Sequence, residues 1–158
     1  MKPVIPFLIS LLGLVGCGSD KAASEPDPSG NGGAVPASAP QGTRVVLGTS
    51  EFGRMLFDSR KQAIYIFQRD KKNKSNCYGA CATPWPPVFT KGRPRAGKGV
   101  HSSLLSTIRR KGGERQVTYA GKPLYYYAHE GPGEVKCHNV NLNGGFWWAV
   151  AADGKRLQ

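Results

Sequence analysis

Residues Tyr65–Pro87, YIFQRDKKNKSNCYGACATPWPP, hold two aromatics, an acid, two closely spaced cysteines and a Trp-Pro-Pro turn in one short span. Half of this pattern returns sixty residues later. Tyr65-x-Phe67-x-x-Asp70 is matched by Tyr125-x-Tyr127-x-x-Glu130. Alternation along a strand puts the Tyr and the second aromatic on one face, the core face. The acid falls just past the strand end, where it can accept N–H bonds from the turn that follows. Cys77 lies twelve residues after Tyr65, and Cys137 twelve after Tyr125. Aromatic segments then follow in both halves, Trp85-Pro86-Pro87 and Phe146-Trp147-Trp148. One such unit cannot bury its apolar face alone, but two can pair. The expectation is an all-β domain of two repeated short-strand units packed with pseudo-twofold symmetry.

Working outward, the elements are short, rich in β-branched and aromatic residues, and jointed by Gly, Pro, Asn and Asp. Strands are expected at Arg44–Gly48, Arg54–Asp58, Ala63–Gln68, Leu105–Arg109, Gln116–Tyr119, Pro123–Tyr127 and Gly145–Ala151, with Lys155–Leu157 closing a last hairpin through Asp153-Gly154. One or two helical turns are expected around Cys77–Ala82 and Ser102–Leu105, and nothing longer.

Residues 1–17 read as a processing segment. Lys2 precedes an apolar run from Val4 to Leu14, too short to span a bilayer of ~30 Å and suited to a signal-peptide core. It ends in Leu14-Val15-Gly16-Cys17, a lipobox-like sequence that implies lipid attachment at Cys17; an ordinary secretory signal is the alternative. Gly18 rather than Asp follows Cys17, which points to the outer membrane where the cell has one. Residues 18–42 are Gly, Ser, Ala and Pro with scattered charges, the composition of a disordered tether. Residues 43–158 suffice for one domain.

The chain has a formal net charge of +12, and of its 22 Lys+Arg only Lys2 and Lys21 fall outside residues 43–158. Such a field attracts anionic surfaces. Export argues against nucleic acid as the partner, leaving an anionic envelope component or an envelope protein; a merely soluble basic surface is the bland alternative.

Taken with Ser75-x-Cys77-Tyr-Gly-Ala-Cys81-Ala, Gln116-Val-Thr-Tyr119-x-Gly121-x-Pro123-Leu-Tyr125 and Gly144-Gly145-x-Trp147, the two Tyr-x-aromatic-x-x-acid motifs resemble the bacterial secreted-repeat lipoproteins with a Tyr-x-(Phe/Trp/Tyr)-x-x-Asp motif. The resemblance covers nearly all of residues 43–158. It implies an exported, usually lipid-anchored two-repeat domain and names no activity. The chain departs from the pattern at Glu130, where Asp is usual, and at Cys137, which adds a thiol.

Setting Cys17 aside leaves three cysteines in an oxidising compartment. Cys77 and Cys81 are close enough for a disulfide, a structural staple or, less in keeping with the four-residue spacing, a redox pair. Cys137 is left over. With His138 it suggests a copper or zinc site that borrows Cys77 or Cys81; a buried thiol beside a solvent histidine is the plain alternative. No cofactor is otherwise expected. Catalytic motifs of the Gly-x-Ser-x-Gly, Walker or His-Glu-x-x-His kind are not found in the sequence. Most aromatics suit a core, while Tyr126 and one of Trp147 and Trp148 turn outward as a platform for glycan or lipid contact. The functional expectation is a lipid-anchored envelope binding lipoprotein without its own catalysis; the rival is a small redox or metal-handling lipoprotein using Cys77, Cys81, Cys137 and His138.

Overall fold

Val45 to Asp58 shows how local chemistry starts the fold. In a computed structural model that describes residues 40–158, β1 (Arg44–Ser50) and β2 (Gly53–Asp58) form an antiparallel hairpin, with Val45 opposite Asp58 and Ser50 opposite Gly53. Gly53 takes φ 111°, which an L side chain resists. Cys17, the expected signal peptide and all of the expected tether before residue 40 lie outside the described residues.

The remaining strands are β3 (Tyr65–Phe67), β4 (Arg95–Ala96), β5 (Leu105–Arg109), β6 (Arg115–Tyr119), β7 (Lys122–Pro123), β8 (Val140–Leu142) and β9 (Gly145–Ala149). They make three small sheets with strand orders β2-β1-β4, β3-β9-β8 and β5-β6-β7. All pairings within these sheets are antiparallel except β1 with β4. The domain is all-β, as the alternation implies. Its helical content among the described residues is two 3-10 turns, Gly79–Cys81 and Ser102–Leu104, at the two places expected.

Three strand expectations need correction. The strand expected over Pro123–Tyr127 stops at Pro123, and Tyr125 instead makes isolated bridges to both Tyr65 and Pro87. A ladder cannot continue where each side is taken by a different partner. Ala63–Gln68 shortens to Tyr65–Phe67, with Ala63 held by a bridge to Phe57. Gly145–Ala151 ends at Ala149, and the closing hairpin survives as one bridge, Val150 to Arg156, turned by Gly154 at φ 80°. Strands β4 and β8 carry too little hydrophobic pattern to be read from sequence.

Two apolar clusters fill the interior. One gathers Met55, Phe57, Tyr65, Phe67, Cys77, Trp85, Tyr125, Cys137 and Trp147. The other gathers Val45, Leu56, Ile64, Ile66, Val88, Val117, Leu124 and Val150. Strand β3 lies between them, so Tyr65 and Phe67 face one cluster and Ile66 the other. This is why the three residues of β3 are all buried although their side chains alternate.

Candidate functional site

Tyr65 and Tyr125 meet backbone to backbone where the two halves join. Tyr65 N donates to Tyr125 O at 2.9 Å, and Tyr125 N donates to Tyr65 O at 3.0 Å. The bonds around this pair are reciprocal. Ile64 N donates to Leu56 O as Leu124 N does to Val117 O, and Leu56 N donates to Val150 O as Val117 N does to Val88 O. Each half therefore lays its closing segment, Val88 or Val150, against a strand of the other. Beside the exchange Trp85 and Trp147 stack with ring centroids 3.8 Å apart and planes 2° from parallel.

The side chains are exchanged as well. Tyr65 OH donates to Glu130 Oε1 at 2.5 Å, and Tyr125 OH donates to Asp70 Oδ2 at 2.7 Å. The tyrosine of each motif thus holds the acid of the other. Each acid also orders its own following turn, Asp70 accepting from Asn76 N at 2.7 Å and Glu130 from Lys136 N. Burial raises both carboxyls, Asp70 to about 6. Burial likewise pushes both phenols above their ordinary range, with the neighbouring acids adding to the effect. The motif residues Tyr65, Phe67, Asp70, Tyr125, Tyr127 and Glu130 are therefore framework: their polar atoms face each other across the join.

The turns after the two acids differ. After Asp70, Cys77 and Cys81 form a disulfide with Cα atoms 5.3 Å apart, Cys77 fully buried and Cys81 half-buried. After Glu130, Cys137 is a free thiol, 5% exposed. Burial and then the Glu130 charge push this thiol up to about 11, so it stays protonated at neutral pH. His138 points elsewhere: its Nδ1 accepts from Ala149 N at 3.3 Å and its ring lies 4.8 Å from Phe52. Burial lowers its pKa. The disulfide occupies both sulfurs of Cys77 and Cys81, and no three His, Cys, Asp or Glu side chains converge to hold a metal among the described residues.

Two surface features remain. A cleft of about 450 Å³ has Trp148 and Ile66 on its apolar side and Lys71, Lys72, Lys122 and Arg156 around it. The Trp148 ring is fixed by a bond from Nε1 to Asn139 Oδ1 at 3.1 Å, stacks on Phe146 with centroids 5.7 Å apart, and carries Arg156 5.2 Å above it. Phe146 and Leu142, at the tip of the β8–β9 hairpin, stay 36% and 41% exposed. Of the adjacent tryptophans, Trp148 is the one turned outward, while Trp147 is fully buried. Tyr126 is tied down by Asp58 Oδ2 at 3.1 Å. Sequence reading missed Lys122 and Arg156, which come from separate hairpins and carry no local signal. It also listed Arg110 only as one charge in a basic run, although the residue is 7% exposed.

The model of a family described as a secreted repeat of unknown function matches residues 46–89 and 106–151, together more than half of the chain, and the chain belongs to that family. The two matched segments are the two halves joined at Tyr65 and Tyr125. The family puts the chain among exported or envelope proteins. No curated protein and no solved structure matches the chain significantly.

Proposed function

We propose that the protein is a lipid-anchored accessory module of the cell envelope, attached through Cys17 and facing outward from the outer membrane. It binds an anionic envelope component and catalyses no reaction of its own. The observation that carries this reading is the Trp148 cleft. It combines an apolar wall with four cationic side chains, Lys71, Lys72, Lys122 and Arg156, drawn from three separate parts of the chain. Lys122 is half-buried, donates to Gly154 O at 3.0 Å, and has its pKa lowered by burial. An anion there would offset a cation already partly stripped of water. The long-range field of a +12 chain would bring that anion to the surface.

The test is binding of the full chain to lipopolysaccharide and to acidic polysaccharide, followed by Trp fluorescence across a range of salt. The expected result is saturable binding that weakens as salt rises, and that Lys71→Ala with Arg156→Ala reduces at least tenfold. Binding indifferent to both salt and these substitutions overturns the cleft reading. Anchoring is tested separately. Cys17→Ala is expected to move the protein from the membrane to the soluble fraction and to abolish labelling by a fatty acid.

A further inference from the structure

We propose that a second cleft, between the Lys74–Tyr78 segment and the turn joining β5 to β6, binds a phosphoryl-bearing anion. It stands on residues separate from the Trp148 cleft and does not depend on that reading.

The argument begins with Arg110. Its guanidinium is buried, yet none of the ion pairs found among the described residues, Arg60–Asp58, Lys136–Glu134 and Lys155–Asp153, involves it. Instead it donates to neutral acceptors: Nη1 to Ser75 Oγ at 2.8 Å and Gln116 Oε1 at 2.7 Å, and Nη2 to Cys77 O at 2.7 Å. A guanidinium has five N–H donors, so this set leaves two to spare. Its Cζ sits 4.0 Å over the Tyr78 ring, and Lys111 Nζ lies 5.1 Å from the same ring. The nearest route to a carboxylate is a relay, from Ser75 Oγ through Tyr125 OH to Asp70, with links of 2.7 Å each.

Around this buried cation the cleft, of about 660 Å³, adds Lys74, Arg109 and Lys111, together with the amide of Asn76. No carboxylate lines it. Four cations facing one concavity repel each other, and the repulsion is strongest where burial lowers the effective dielectric. An anion of high charge density relieves this. Phosphoryl groups are the chemistry that suits a planar guanidinium fork with flanking ammonium groups. Bare phosphate would leave most of the volume empty, so the fitting ligand carries its phosphoryl on a larger polar body: a lipid headgroup or a soluble glycerol phosphate unit.

The plainer role for Arg110 is a clip that ties the β5–β6 turn to the disulfide loop. The two roles separate in solution. In the full chain with Cys17→Ala, sodium phosphate and glycerol 1-phosphate are titrated at constant ionic strength against sodium chloride, following the NMR signals of the arginine Nε–H groups and the Asn76 side-chain amide. Saturable shifts with both phosphates and none with chloride are expected. Arg109→Ala with Lys111→Ala, both at exposed positions, should weaken the response at least tenfold without altering the fold, while Trp148→Ala leaves it unchanged. Retention on phosphatidylglycerol vesicles but not on phosphatidylcholine identifies the headgroup as the source. Glycerol phosphate binding without vesicle retention identifies a soluble source. Shifts that match chloride, that survive the double substitution, or that vanish in Trp148→Ala overturn the proposal.

Discussion

The two turns that follow the motif acids start from the same geometry and are filled with opposite chemistry. After Asp70 the interior is polar and tightly joined: Ser75, Tyr125 and Arg110 form a continuous hydrogen-bonded chain, and the Cys77–Cys81 disulfide closes the loop above it. After Glu130 the space holds a free thiol, and Glu130 Oε2 is buried with no hydrogen-bond partner. Asp70 is half-buried and within reach of water, whereas Glu130 is 9% exposed. The frame shared by the halves is what the fold needs. The divergent fillings show where one half was free to take on a cationic surface role and the other was not.

The hardest blow to both halves at once is loss of the stacked pair. Trp85→Ala or Trp147→Ala is expected to cost about 3–5 kcal/mol, read by urea denaturation, because each leaves a large cavity against a fully buried partner. The comparison sharpens with the tyrosines. Tyr65→Phe should cost about 2–3 kcal/mol, since buried Glu130 loses its phenol donor, while Tyr125→Phe should cost about 1 kcal/mol because water can reach Asp70. Equal costs for the two would break the asymmetry argued here. Replacing both Cys77 and Cys81 with Ser should cost about 2 kcal/mol, the low end for a short closed loop.

Cys137→Ala should cost about 1 kcal/mol, a small void in a cluster that contains no bond to replace. In the native protein this thiol should resist a disulfide-exchange reagent at neutral pH and react only after denaturation, since it is both buried and held near 11.

The acids add a pH signature. Asp70 is raised from 3.8 to about 6, so the folded state binds its proton more tightly than the unfolded state does. The associated stabilisation is full below about pH 4 and declines as pH rises through about 6. Glu130 shifts in the same direction. Denaturation midpoints measured from pH 4 to 7 should therefore fall with rising pH, and Asp70→Asn should flatten part of that slope. A midpoint that rises through this range would contradict the burial of these carboxyls.

Much of this frame is legible in the chain. The spacing from Tyr to acid to cysteine repeats because each half must build the same strand, turn and return, and local hydrogen bonding around Asp70 and Glu130 needs only the next few residues. The Cys77–Cys81 pair is legible for the same reason, being local. The strand expected over Pro123–Tyr127 was misread because its partners lie far away, one in each direction. The cationic clefts were illegible in detail: Lys122 and Arg156 meet only because separate hairpins fold onto one edge, and the burial of Arg110 depends on Ser75, Cys77 and Gln116 arriving together.

Sequence alone thus determined the β class, the two repeated units, the disulfide and the basic character, all of which rest on residue type and short spacing. Tertiary structure decided that each tyrosine serves the acid of the other repeat, which tryptophan faces outward, and which cations converge. Those depend on contacts between residues some sixty positions apart, where period and propensity carry no information and only packing selects the partner.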